Sequence, residues 1–565
     1  MKVKTIIKTG QLFMMAVLLA ACASEDVAQN KKKENGTEAP KGGVIFAANG
    51  PKISAKRLSI DGEDEFAGAK TRTNIKHTAG QGADAYWTSG DFIYVKDKNG
   101  NFQQSTHTEL HDGGASAEFT LPGSMADYTD GCEVRYTGTG ANNFALPPED
   151  KSVGIAGEYH IATANNFNDA GGNGDCGSGK AYATGNPAKF NFRLSHKAAY
   201  LCFLPRCENA ALAPNIRLTR IKLTATKCYS DPSTPLTDYF NFDGETIGPG
   251  GHRLYSRNII YMIYFSFPLF TTANQEANAV YCVIRPDTYD FKIEYTIKDP
   301  TTNVETVVTQ TLTNKTFDKG LIYDITADLA VPKLNMKYYM WDAQQDYWHG
   351  YESELPFINK GQPGATQGLN YPKNNSDPKN RWYNENYPGL SIQNDAQTNL
   401  FKTFPNINEL CWYVMKGDPH WGSKTYVENG HLKKFDGLWL RKKSAIVTYL
   451  KTYEGYPSSF TEDDLKSGYK ASFTASLNDY RITNGTVSAT PASGVPTNIA
   501  DYFFLPALGY YFEGWLIESG FSGYYWTSSG HPWSASLAYK LVFAPTLVRT
   551  YNDDRNFGYS SWPSE

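Results

Sequence analysis

Residues 174–180 read GDCGSGK, a spacing that imitates a phosphate-binding loop, with Gly179-Lys180 after four intervening residues. The imitation is incomplete. Ala181 stands where the metal-ligating Ser or Thr belongs, and no helical pattern follows, so the stretch is read as a surface loop. The ten His are scattered without HExxH, and Gly520-Phe-Ser522-Gly523 has the wrong spacing for a nucleophile elbow. Apart from Cys22, the seven cysteines at 132, 176, 202, 207, 228, 282 and 411 form no CxxC pair. An odd number at irregular spacing is neither a zinc set nor a disulfide framework. Cys202 and Cys207 could pair, but Cys202 sits in an apolar strand pattern and is read as core. Asn552-Asp553-Asp554 clusters hard oxygens that could contribute to a calcium site, with a solvated turn as the plainer reading. No catalytic residue, metal site or cofactor is expected. The remaining chemistry is recognition: Trp526 and Trp533 flank Ser528-Ser529-Gly530-His531, and an aromatic face beside polar groups could hold a sugar ring or a peptide. Trp412, Trp439 and Trp526 are assigned to the core. Trp515, Trp533 and His531 are the expected ligand contacts.

Ten of the eleven Trp lie between Trp341 and Trp562, and only Trp87 precedes them. That imbalance implies two kinds of domain. At 565 residues, the chain exceeds what one core can organise. Its 38 Tyr and 30 Phe, with 49 Gly and 29 Pro, favour β-structure with many turns. A net charge of −4, with no basic block beyond Lys31-Lys32-Lys33, leaves no electrostatic footprint for nucleic acid.

The start of the chain sets the expected compartment. Lys2, Lys4 and Lys8 precede an apolar run at 12–21, too short to span a bilayer and right for a signal-peptide core. It ends Leu19-Ala20-Ala21-Cys22, which resembles a bacterial lipobox and implies lipidation of Cys22 after removal of 1–21. The acidic Glu25 and Asp26 are similar to a surface-export tag of Gram-negative lipoproteins. Residues 23–42 are polar and read as a tether. Around 54–73, Arg57 and Arg72 stand in polar, Gly-containing sequence of the kind proteases cut.

Short strands with turns fill the chain from 43 to 331. Residues 189–194 and 291–297 alternate strictly, 216–226 alternates with a slip near Arg220 that suggests a bulge, and 258–270 reads as a doubly buried strand. Two antiparallel β-sandwiches are the simplest solution, with a boundary near Pro187 and Pro332 closing the second. Beyond it, 333–399 is loop-rich and aromatic. Residues 406–417 form a helix with Asn406 as cap, Gly417 as stop, and Ile407, Leu410, Cys411, Val414 and Met415 on one face. A second short helix is placed at 461–467, and the rest is β. The expected units are 1–21, 22–57 (tether and first strand), 58–187, 188–332 and 333–565.

In order and spacing, several motifs across residues 43–331 resemble the fimbrillin family, the subunits of type V pili. They are an early strand followed by Thr71-Arg72-Thr73, WTSGDFIYV at 87–95, FRLSHKAAYL at 192–201, and GLIYDITADL at 320–329. The resemblance implies two β-sandwich domains, export as an outer-membrane lipoprotein, and an Arg-specific cut at Arg57 or Arg72, with Arg57 preferred. Residues 400–563 resemble the lectin-like "major paralogous" module, related to C-type-lectin and formylglycine-generating-enzyme folds. FPNINEL at 404–410, LPALGY at 505–510, GYYWTSS at 523–529 and RNFGYS at 555–560 carry the likeness. With no cysteine after Cys411, the generating enzyme's chemistry is absent.

The whole chain is therefore expected to be mainly β, two fimbrillin-like sandwiches followed by an α+β C-type-lectin-like domain. Removal of a first strand would open a groove that a neighbouring subunit's strand fills. No free donor tail is visible after the third domain, which favours a tip or accessory subunit over a stalk subunit. The expected partners are other fimbrial subunits, a protein or glycan ligand, and the outer membrane through the precursor's lipid. The alternative is an anchored glycan-binding lipoprotein that never polymerises.

Overall fold

The computed structural model describes residues 43–49, 52–59, 66–67, 74–139, 150–185 and 188–563. It is mainly β, 43 % strand against 12 % helix, which settles the class.

The first sheet runs in the order Phe102–Gln104, Tyr94–Lys96, Cys132–Tyr136, Gly177–Gly185, Ala188–Phe192, β1 (Val44–Asn49), Ser116–Leu121, His107–His111. Its two outermost strands are separated in the chain by only Ser105 and Thr106, whose N–H groups donate to Ile93 and Thr120 carbonyls. Two residues cannot reach across an open sheet, so the sheet folds round until its edges meet. Phe46, Trp87, Ile93, Phe119, Val134 and Phe192 fill the interior. The hairpin joining Gly177–Gly185 to Ala188–Phe192 spans Pro187. The boundary expected there therefore falls inside one sheet, because alternation shows which face a strand buries but not which strand it pairs with.

The second unit is built on a central sheet ordered Val280–Ile284, Ala199–Arg206, Leu321–Asp328, β2 (Lys52–Ser59), Gly82–Tyr86, Asn74–Thr78. Leu201, Phe203, Tyr323 and Ile325 pack on one face towards the sheet that contains Arg217–Cys228 and Asp287–Asp299. Tyr200, Cys202, Leu204 and Ile322 pack on the other face, towards Phe240 and Phe242. Pairing is antiparallel in most ladders; Leu321–Asp328 runs parallel to both neighbours.

The bulge expected near Arg220 is present between Leu218 and Arg220. The doubly buried strand expected at 258–270 is not. Ile259–Ile263 buries alternate residues only, and Tyr264, at φ +64° and 73 % exposed, ends it. Burial on both faces belongs instead to Ala199–Arg206 and Val280–Ile284. All seven described cysteines are buried and unpaired, so the pairing considered for Cys202 and Cys207 does not form.

The last unit is α+β. Its helix Ile407–Lys416 is capped by Asn406, whose side chain accepts from the Glu409 N–H while the Glu409 carboxylate accepts from the Asn406 N–H. It is enclosed from Ile407 to Val414, so one apolar face understates its burial, and Met415 is exposed rather than packed. The short helix Glu462–Ser467 starts at its Thr461 cap. An unexpected helix, Lys443–Tyr453, contains Val447, Thr448 and Tyr449, types that favour strands until packing against Ile407–Lys416 and the sheet decides otherwise. Tyr338–Tyr339 and Tyr559–Ser560 pair, bringing the two ends of the unit together. Its long hairpin, His420–Glu428 with His431–Arg441, sends Val427 and Leu432 into the second unit's core. There the Asp299 carboxylate accepts from His431 Nδ1 at 2.9 Å and from the Leu432 N–H at 3.0 Å.

Candidate functional site

Two places hold surfaces that bear on recognition: the N-terminal strand run, and the loop-rich face of the last unit.

β1 is hydrogen-bonded on both sides, parallel to Ala188–Phe192 and antiparallel to Ser116–Leu121. Val44, Phe46 and Ala48 point into the core, where the Phe46 ring stacks on Phe190 at 4.7 Å and meets Tyr128 edge-on at 5.2 Å. β2 enters the other unit: Ser54 to Ser59 pair with Leu321 to Thr326, and Lys52 and Ile53 with Asp84 and Ala83. One short run thus supplies an interior strand to each of two sheets. Arg57 lies within that second ladder, opposite Asp324, so a protease reaches its peptide bond only where the ladder opens. Cys22 and Arg72 lie outside the described residues.

The stretch 174–180 is not the surface loop expected: Gly174 to Ser178 are buried and Gly177 begins an interior strand of the first sheet, where its glycines have a structural use. A Cβ on Gly179 would fall 2.0 Å from the Arg193 carbonyl oxygen, so the residue must be Gly for two backbones to meet. Asp175 is buried, and its carboxylate accepts from His196 Nδ1 at 2.7 Å and from the Tyr200 hydroxyl. Asp553 of the acidic triplet is likewise occupied, by the Lys540 ammonium and the Tyr559 hydroxyl. A His, a Cys and an Asp do converge in the core: His77, Cys202 and Asp324 bring ligand atoms within 4.8 Å of one another. Asp324 is already engaged by His77 Nε2 and by the Gly80 N–H.

The expected ligand contacts separate. Trp533 is 63 % exposed, as a contact residue requires. Trp515 is half-buried on a different hairpin, opposite Phe512, with the Lys360 ammonium 5.4 Å from its ring. His531 is enclosed: its ring packs on Tyr539, its Nδ1 accepts from the Trp533 N–H at 3.3 Å, and burial holds the imidazole below its usual pKa. It positions Trp533 rather than offering itself to a ligand. Trp412, Trp439 and Trp526 are core. Trp526→Ala is expected to cost about 3–5 kcal/mol, and Trp533→Ala no more than about 0.5 kcal/mol, in denaturant unfolding.

The aperiodic stretch 333–399, which offered no periodicity to read, builds a cleft of about 910 Å³. Its floor is Asp342, 1 % exposed and at φ +54°. Both its carboxylate oxygens are used, accepting from Asn384 Nδ2, the Gln397 and Thr398 N–H groups, and the Thr398 hydroxyl at 2.6–2.9 Å. Beneath it the buried Arg555 guanidinium lies 4.0 Å from the Trp341 ring and donates to Asn394 Oδ1 at 2.6 Å. Desolvation pulls that guanidinium down to about 10, still charged at neutral pH. On one wall the Trp382 indole N–H and Asn375 Nδ2 donate to the two oxygens of Glu385, holding its carboxyl below the usual range. The Trp382 and Tyr383 rings adjoin at 4.9 Å.

Beside the cleft, burial pushes the Asp395 carboxyl up to about 7, and its Oδ1 has no hydrogen-bond partner among the described residues. A raised carboxyl binds its proton more tightly folded than unfolded. Its stabilising contribution is full below the unfolded value near 3.8 and is lost as pH rises towards 7. Asp395→Asn is expected to flatten that loss, the wild-type chain falling behind by on the order of 1 kcal/mol per pH unit between pH 4 and 7 in urea titrations.

No family model and no curated relative matches the chain. Solved structures similar to it include a chain assigned to cell adhesion from Bacteroides ovatus ATCC 8483, 15 % identical, covering 51 % of this chain and 94 % of its own at a TM-score of 0.28. The fimbrial anchor protein Mfa2 from Porphyromonas gingivalis is 9 % identical over 47 % of this chain and 81 % of its own, at 0.19. A fimbrial protein from Bacteroides ovatus ATCC 8483 is 11 % identical over 91 % of this chain and 100 % of its own, at 0.20. At these scores the likeness decides neither what the chain binds nor what it joins.

Proposed function

We propose that the chain is a tip or accessory subunit of a surface fimbrium, made as a lipoprotein acylated at Cys22 and processed at Arg57 or Arg72. It joins other subunits by donor-strand exchange and presents its lectin-like last unit to a host or bacterial ligand. It works by binding, not by catalysis. The observation that carries the reading is the double use of 44–59. Losing that run opens an interior groove in each of two sheets, with unpaired backbone groups over apolar side chains, and a partner's extended strand satisfies both. The docked hairpin of the last unit supports a rigid presentation of its outer face.

Immunogold electron microscopy with antibody against residues 400–565 tests the reading on cells and sheared fimbriae. Gold is expected at filament ends. Gold spread over the envelope, with bare filaments, would favour the anchored glycan-binding lipoprotein.

A further inference from the structure

We infer that the cleft beside Asp342 is a binding site for a neutral oligosaccharide, independent of calcium and separate from Trp533. The inference rests on reading the last unit as the ligand-presenting part, and it names where and what that unit binds.

The composition of the walls selects the ligand class. Of fifteen lining residues, five are Asn and two are Gln, and no Lys or Arg is among them. A side-chain amide offers donors and an acceptor in one plane, which matches hydroxyl groups that must donate and accept at once. Phosphate, sulfate or carboxylate ligands would need cations here; the buried Arg381 guanidinium beside the cleft is spent on Asp377, and the Glu385 carboxylate on one wall disfavours an anion. A peptide seeking strand addition would need a free strand edge, and none of the lining residues lies in a strand. An apolar ligand would find only Ala343 and Leu400 besides the aromatic rings. Trp382 supplies what a pyranose adds to its hydroxyls, a flat apolar face: its N–H is fixed on Glu385, so the ring cannot turn away.

The site is also held in shape before any ligand arrives. Asp342 ties the loops carrying Asn384, Gln397 and Thr398 to one point, and Arg555 closes the underside through Asn394. Loops already ordered lose less entropy on binding. Gln344 and Asn399 are exposed and line the same space, while the Gln397 amide donates to the Asn386 carbonyl oxygen at 2.7 Å and braces the wall. A volume of about 910 Å³ lies at the upper end of ordinary ligand sites and suits more than one sugar ring.

Isothermal titration of the full chain tests this with maltotetraose, mannotetraose, xylotetraose, galactotetraose and the anionic trigalacturonate, in buffer containing a calcium chelator. At least one neutral tetraose is expected to bind with Kd below ~1 mM. Gln344→Ala and Trp382→Ala should each weaken it at least tenfold, Gln344→Ala without lowering the melting temperature, and Trp533→Ala should leave it unchanged. The inference is overturned if no neutral sugar binds, if trigalacturonate binds more tightly, if calcium is required, or if only Trp533→Ala abolishes binding. These outcomes are read on the isolated chain. Gold at filament ends with no sugar bound would therefore keep the fimbrial reading and remove this one, and the converse would do the opposite.

Discussion

A chain shortened to begin at Leu58 is expected to lose roughly 10–20 °C from the melting transition of its first unit and to regain it when a peptide of residues 44–59 is added. The size follows from what β1 buries. Val44, Phe46 and Ala48 are all but fully enclosed, and burying one large apolar side chain is worth about 1.5–3 kcal/mol, so the three together contribute on the order of 5 kcal/mol. Against a total of about 5–15 kcal/mol for a domain, that loss leaves little. For a unit of this size, each kcal/mol moves the midpoint by about 2–4 °C. The two facing ladders, at Ala188–Phe192 and Ser116–Leu121, also lose their partner, which makes the shortened chain prone to associate. Adding the peptide restores stability by mass action, while the same peptide carrying Phe46→Asp should not, since a carboxylate would enter the slot between Phe190 and Tyr128. Calorimetry with and without peptide reads both effects. An unchanged transition in the shortened chain would mean that β1 is an ornament on a sheet complete without it.

What the sequence made legible was local. The strand at 291–297, the bulge beside Arg220 and the capped helix from Asn406 each leave a signature within a few residues: alternation, a slipped phase, a side chain that can cap. Partners leave no such mark. Nothing in KISAKRLS shows that it pairs with LIYDITAD some 270 positions later, or that Ala188–Phe192 returns to the first sheet. Registers of that kind are fixed by the assembled core. The cleft was hidden for a related reason. Its walls come from loops whose order is imposed by Asp342 and Arg555 through side-chain hydrogen bonds up to 171 residues apart, and Asn, Gly and Pro without periodicity look the same whether they are slack or stapled. Trp533 was legible as exposed because Pro, Ser and Gly surround it. His531 was misjudged because polarity alone does not tell an enclosed imidazole from an offered one.

The second large effect is expected at Asp324, where Asp324→Ala should destabilise the chain by about 3–5 kcal/mol. The carboxylate is fully enclosed and sits under the junction of the sheets. Oδ1 accepts from His77 Nε2 at 2.6 Å and Oδ2 from the Gly80 N–H at 2.7 Å. The same imidazole faces the Gly82 carbonyl oxygen, 2.6 Å from Nδ1, so the ring is held between Gly82 and Asp324. Removing Asp324 leaves that ring and the Gly80 N–H buried without their partner, a heavier penalty than losing one surface ion pair, which is worth about 0–1 kcal/mol. Asp324→Asn, which keeps one acceptor and the shape, should cost less than Asp324→Ala; equal losses would mean that packing rather than pairing sets the cost. The position ties this effect to the first one. Asp324 stands opposite Arg57 in the β2 ladder, while its side chain reaches past that ladder to the hairpin of Asn74–Thr78 and Gly82–Tyr86. When β2 is absent, the His77 and Gly80 contacts with Asp324 still fasten that hairpin to Leu321–Asp328, with the strand slot between them open. In the chain beginning at Leu58, Asp324→Ala should therefore cost more than it does in the full chain and should abolish rescue by the 44–59 peptide in the second unit. An additive result in that double comparison would show that the hairpin is held by its apolar contacts alone.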